Sequence, residues 1–158
     1  VGSTSPGELD DIGMTMALNL AGRRAMLEVL TDLGPTPVLP ERTMVLLDGR
    51  HDWLSAPLTL DCLGIFGDCA ELELPPVRTV IKGDGCVPTI AAASIVAKVR
   101  RDEAMIALAT DHPHYGWESN VGYGTAKHRQ GIVDFGLSIH HRRSFRLHAV
   151  SEAKEGVS

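Results

Sequence analysis

Apolar residues recur at Leu18, Ala21, Ala25, Val29 and Leu33, the spacing of one helix face. The helix begins upstream, at Ser5-Pro6-Gly7-Glu8. Ser5 can cap it, Pro6 suits the first helical position, and Glu8 completes a capping box. Gly13 divides a short first helix from a longer one, and Gly34-Pro35 stops the second. The pattern then changes. Thr43-Met44-Val45-Leu46-Leu47 is almost wholly apolar and runs into Asp48-Gly49, which predicts a buried strand with an acid at its C-terminal lip. Residues 50–76 are less regular. Leu58-Thr59-Leu60 and part of 69–74 are candidate strands, and Pro75-Pro76 punctuates the chain. Val77 to Ile81 is rich in β-branched residues and predicts a second strand, which leads into Lys82-Gly83-Asp84-Gly85. Pro88-Thr89 opens a long helix over about 90–110, with apolar positions at Ile95, Val96, Val99, Met105, Ile106 and Leu108. Residues 114–124 form a loop rich in glycine and aromatics. Thr125 caps a further helix through about 134, and Gly136 closes it.

Composition narrows the class. At 158 residues, 44% hydrophobic and 22% charged, the chain reads as one folded domain, not a disordered tail, a collagen-like repeat or a bare coiled coil. No apolar run approaches the roughly 18 residues of a membrane span. No signal-peptide pattern opens the chain, so a cytoplasmic location is expected. The net charge of −5 is unevenly spread. Residues 1–97 carry 6 basic and 13 acidic side chains, whereas residues 98–148 carry 8 and 5, together with six of the seven histidines. An acidic part joined to a basic, histidine-rich part suits a polyanion site whose catalytic centre is itself acidic, and also suits merely uneven surface charge. The three cysteines, Cys62, Cys69 and Cys86, form no CxxC pair and read as reduced thiols.

Asp48 and Asp84 each follow a strand candidate and each precede a glycine. Functional groups gather at strand ends in sheets flanked by helices. Two carboxylates at neighbouring strand ends repel unless a cation lies between them, and hard divalent ions such as Mg²⁺ and Mn²⁺ prefer such oxygen ligands. Asp-Gly is equally a common turn pair. Ser94, Lys98 and Asp102 share one helix face, which points either to an extra metal or water ligand at Asp102 or to a surface ion pair. Lys82-Gly83-Asp84-Gly85 lacks the spacing of a phosphate-binding loop. Tyr123, between Gly122 and Gly124 and followed by Lys127, His128 and Arg129, can stack on a sugar or base while cations hold phosphates, or can serve as a core tyrosine at a turn.

Together these strings resemble the bacterial ribonuclease HII (type 2 ribonuclease H) family. The matching text is Val45-Leu46-Leu47-Asp48-Gly49, KGDGCVPTIAAASIVAKVRRD at 82–102, GYGT at 122–125 with His128, and HRRSF at 141–145. The likeness runs over about 43–145 and more weakly over 4–33, where TSP.E.D resembles the family's helix entry.

The resemblance implies an α/β, ribonuclease-H-like mixed sheet with flanking helices and a helical C-terminal portion. This domain would cover residues 1–145, with 146–158 as a tail. It implies endonucleolytic hydrolysis of RNA in RNA–DNA hybrids, and of single ribonucleotides in duplex DNA, by a monomer using two Mn²⁺ or Mg²⁺ ions. Asp48 and Asp84 match two of the family's four acids and would be metal ligands, and Asp102 matches a further acid close to the site. Tyr123 matches the tyrosine that packs on the deoxyribose next to the scissile linkage. Lys82, Lys98, Arg142 and Arg143 are candidate phosphate contacts. One departure stands out: the family's Asp-Glu-Ala-Gly-Arg-Gly strand has no counterpart. Ala21-Gly22-Arg23-Arg24 is similar to a fragment of it, but Asn19-Leu20 stand where Asp-Glu would, in a stretch that reads as helix. The chain is therefore expected to be the C-terminal two-thirds of a family member, with an incomplete sheet and weakened metal binding and catalysis. A non-catalytic nucleic-acid-binding module on the same fold is the alternative. A different metal-dependent phosphoesterase fits the acids but not GYGT and HRRSF.

Overall fold

The computed structural model describes residues 1–34 and 39–144, so Pro35, Phe145 and the expected tail at 146–158 lie outside the described residues. The chain forms two units, Val1–Ala97 and Lys98–Ser158.

In the first unit, helix α1 (Pro6–Asp32) starts as its sequence dictates. Glu8 N–H donates to Ser5 Oγ at 3.2 Å, and Ser5 N–H donates to Glu8 Oε2 at 2.8 Å, closing the capping box. Gly13 bends the helix with φ 75° and ψ 169°, a left-handed region that a side chain would strain. Strands β1 (Val45–Asp48) and β2 (Val77–Val80) pair in parallel, with Val45 opposite Val77 and Asp48 opposite Val80. Leu47 is the buried residue of β1, and its neighbours Val45 and Leu46 are half-buried.

The strands considered at 58–60 and 69–74 do not form. Leu60–Cys62 is a 3-10 turn, Leu63–Phe66 is the short helix α2, and Gly67–Glu71 is a second 3-10 turn. The reason is packing: Cys62, Phe66 and Cys69 recur at helical spacing and bury together against Leu20 of α1. Fully buried Asn19 secures the preceding loop, because its amide donates to the carbonyls of Trp53, Leu54 and Ala56 at 3.1, 2.9 and 3.2 Å. Arg23, in the stretch likened to the missing motif, bonds Asn19 Oδ1 at 2.8 Å and the carbonyls of Cys69 and Leu72 at 3.0 and 2.9 Å. It acts as a strut inside this unit.

Helix α3 (Pro88–Asp111) carries the chain onward into the second unit. That unit adds a 3-10 turn at Pro113–Tyr115, the short helix α4 (Trp117–Asn120) and helix α5 (Ala126–Phe135), which Thr125 caps by accepting from His128 N–H. Its core gathers Ala109, Tyr115, Trp117 and Ile132, with Met105 and Leu108 packed against them. The expected α/β class holds, and of the expected mixed sheet the described residues show one parallel pair. No helix among the described residues is long and apolar enough to cross a membrane.

Candidate functional site

Parallel pairing brings the C-terminal ends of β1 and β2 to one edge, so Asp48 ends β1 there and Asp84 follows β2 by four residues. The turn between β2 and α3 is built to reach Asp48. Lys82 takes a left-handed conformation, φ 54° and ψ 41°, unusual for a residue with a side chain. Gly83 N–H thereby donates to Asp48 Oδ1 at 2.7 Å. The turn packs closely here: a Cβ on Gly83 would lie 2.6 Å from Ile90 Cδ1 and 3.3 Å from both Asp48 Oδ1 and Val80 Cβ. Val87 N–H and Cys86 N–H both donate to Gly83 O, at 2.8 and 3.1 Å, and α3 starts directly afterwards. Asp48, Lys82 and Asp84 are exposed at this edge. Gly83 is the residue that sequence reasoning missed, and its only signal was a second glycine beside Asp84.

The second unit holds another group. Asp102 receives Lys98 Nζ on Oδ2 at 2.7 Å and Arg101 Nη1 on Oδ1 at 2.6 Å. Those hydrogen bonds, Lys98 first, hold its carboxyl below the usual range, and Asp102 in turn raises Lys98. Arg101 also places its guanidinium 4.7 Å from the centre of the Tyr123 ring. Asp102, Lys98 and Tyr123 are thus linked through Arg101. Ser94, predicted on the same face, is exposed and donates to Ala91 O at 2.9 Å. Arg142 and Arg143 are exposed. Cys86 is exposed, whereas Cys62 and Cys69 are buried thiols.

Tyr123 is 58% exposed, but its backbone is tightly held. Buried Asn120 accepts from Gly122 N–H at 2.9 Å and donates to Tyr115 O at 2.8 Å. Val121 stands in the left-handed region at φ 41°, a strained place for a β-branched residue. Gly122, at φ 84°, packs against Met105, whose Cε would lie 3.1 Å from an added Cβ. Tyr123 N–H donates to Asn120 O, and Thr125 N–H to Tyr123 O, each at 2.8 Å. His128 Nδ1 also bonds Tyr123 O at 3.0 Å. Asn120 and Trp117 are further supports that the sequence reading did not single out.

Asp48 and Asp84 supply hard oxygen donors of the type a small divalent cation takes. Among the described residues, no three His, Cys, Asp or Glu side chains gather closely enough to hold a metal ion. In chemical type the pair fits such an ion, and in number it is part of a ligand set.

A family model for ribonuclease HII matches residues 15–148. The chain belongs to the ribonuclease HII family. Among curated proteins it is 44% identical over 145 residues to ribonuclease HII of Gluconobacter oxydans (strain 621H), an alignment covering 92% of this chain and 57% of the relative. Ribonuclease HII of Jannaschia sp. (strain CCS1) is 45% identical, with 92% and 60% covered, and that of Streptomyces coelicolor is 41% identical, with 92% and 51% covered. The chain thus spans about half to three-fifths of the length of these relatives. Its helices and short parallel sheet fit a ribonuclease-H-like fold. The ribonuclease HII match takes in Asp48, Asp84, Asp102, Tyr123, Arg142 and Arg143.

Proposed function

We propose that this chain carries part of the machinery that hydrolyses the RNA strand of RNA–DNA hybrids, and ribonucleotides embedded in duplex DNA, leaving a 5′-phosphate. The observation that supports this most is the delivery of Asp48 and Asp84 to one sheet edge in a ribonuclease HII chain, with Asp48 oriented by Gly83 N–H. Asp48 and Asp84 would hold divalent ions, Mn²⁺ or Mg²⁺. Bound ions of this class, used in pairs, lower the pKa of an attacking water and stabilise the leaving oxygen. The chain's own residues do the rest. Gly83 fixes the rotamer of Asp48. Lys82, Lys98, Arg142 and Arg143 meet backbone phosphates, which positions a duplex without reading its sequence. Asp102 orders Lys98 and Arg101 by accepting from both. Tyr123 packs its exposed ring on the deoxyribose beside the scissile linkage. RNA is told from DNA by the 2′-hydroxyl and its neighbouring sugar pucker, so a shaped contact of this kind belongs to that discrimination.

The second reading, a nucleic-acid-binding module without catalysis, draws on the Arg101–Tyr123 stack, which needs no metal. One assay separates the two. A DNA duplex with a single ribonucleotide is incubated with the chain and Mn²⁺ or Mg²⁺, beside Asp48→Asn. We expect a slow cut on the 5′ side of the ribonucleotide, as an incomplete ligand set implies, that Asp48→Asn lowers at least about a hundredfold further, the scale at which losing one charge-stabilising group slows catalysis. A cut undiminished in the variant removes Asp48 from the site. Duplex binding with no cut, unchanged by the metal ion and by Asp48→Asn, favours the module.

A further inference from the structure

Two buried histidines of the second unit carry a hydrogen-bond direction that neighbouring groups dictate. Ser138 N–H lies 3.0 Å from His141 Nδ1. A backbone N–H can only donate, so Nδ1 is an acceptor and the proton of neutral His141 sits on Nε2. That Nε2 is 3.0 Å from His128 Nε2. Trp117 Nε1, which also can only donate, lies 3.3 Å from the same His128 Nε2. His128 Nε2 is therefore an acceptor as well, and its proton sits on Nδ1, 3.0 Å from Tyr123 O. Two fixed donors at different points impose one direction: from Ser138, through His141 and His128, to the carbonyl of Tyr123. Ser138 Oγ agrees with it, since it accepts from His140 N–H at 3.2 Å and lies 2.9 Å from His141 Nδ1, to which it donates. Both residues are over nine-tenths buried.

We propose that His128 and His141 are positioning residues for Tyr123, acting as a one-way neutral relay that clamps its carbonyl and so aims its exposed ring at the duplex. The proposal rests on the reading of Tyr123 as a substrate contact. The ring projects from a loop, so its direction is set where its backbone is held, by Asn120, by Thr125 and by His128. Of these, His128 is the side chain that donates to the Tyr123 carbonyl, and His141 fixes which of its nitrogens holds the proton.

The test uses the full chain. Long-range ¹H–¹⁵N spectra of the imidazoles at neutral pH come first and need no variant. We expect His128 protonated at Nδ1 and His141 at Nε2. The opposite tautomer on His128 overturns the relay. Next come His128→Asn, whose amide nitrogen falls near the place of Nδ1, and His128→Gln, whose amide falls near Nε2. Affinity for a DNA duplex with one ribonucleotide is read by fluorescence anisotropy in chelator, so that no cleavage intervenes. We expect His128→Asn within about threefold of the parent and His128→Gln weaker by about tenfold, the scale of one lost hydrogen bond. His128→Gln with Tyr123→Ala should be no weaker than Tyr123→Ala alone. Equal losses in the Asn and Gln variants, or losses that add to Tyr123→Ala, overturn the proposal. If Tyr123→Ala leaves affinity unchanged, the substrate reading of Tyr123 has failed. The relay is then decided by the Tyr123 ring resonances: displaced in His128→Gln and restored in His128→Asn they support it, and undisturbed in both they overturn it.

Discussion

A methyl group on Gly83 would meet the end of the Ile90 side chain, and Gly83 carries the N–H that orients Asp48. The nearest obstacle is Ile90 Cδ1, the end of a side chain that is itself buried. Gly83→Ala should therefore cost about 1–3 kcal/mol, the range for overpacking a filled site. It should also weaken Mn²⁺ binding, because the turn moves away from Asp48. Urea unfolding and a metal titration read the two effects. The mechanism is checked in an Ile90→Ala background, where the obstacle is gone and Gly83→Ala should cost clearly less. An equal cost in both backgrounds would place the strain elsewhere. The placement of both acids at one sheet edge was legible from sequence, because each ends or follows a strand and precedes a glycine. Gly83 was not, because nothing in Lys82-Gly83-Asp84-Gly85 says which glycine meets another strand. The directions of the His128 and His141 protons were equally hidden, since they depend on Ser138 and Trp117 arriving from elsewhere in the chain.

Elements were legible where local rules agree. The capping box at Ser5, the bend at Gly13, the two strands, the long α3 and the Thr125 cap all follow from neighbours within a few residues. The stretch 58–74 was misread because its short apolar pieces fit either period. What decides it is Leu20, some forty residues away, which collects Cys62, Phe66 and Cys69 on one face. If that cluster holds the segment in its turns, Phe66→Ala should destabilise the chain by about 3–5 kcal/mol, as for other buried aromatics. Leu60→Ala, at a residue 86% exposed, should change stability by less than about 0.5 kcal/mol. Thermal or urea unfolding followed by circular dichroism compares them. Similar losses in both would mean that the segment is not held by this core.

Over the molecule as a whole, the two units should respond to acid in different ranges, and each contains one tryptophan to report on it. Trp53 packs by Gly22 of α1 in the first unit, and Trp117 is fully buried beside His128 in the second. In the second unit, burial and then the nearby His128 push His141 down from 6.5 to about 4. As pH falls, the unfolded chain takes up that proton before the folded one does. Stability is then full above about 6.5 and drains between about 6.5 and 4, by up to about 3 kcal/mol. In the first unit the Arg24 guanidinium, 2.6 Å from Glu8 Oε1, lowers Glu8 from 4.5 to about 2. That contribution is complete above about 4.5 and drains as pH falls from about 4.5 to about 2. Fluorescence of Trp53→Phe, which leaves Trp117 as reporter, should shift at a higher pH than that of Trp117→Phe. Because removing a fully buried tryptophan is itself disruptive, His141→Asn with both tryptophans present supplies the control. Losing the titrating imidazole should abolish the component between pH 6.5 and 4 and leave the more acidic one in place. A single transition shared by both reporters, unmoved by His141→Asn, would show that this histidine does not set the acid response.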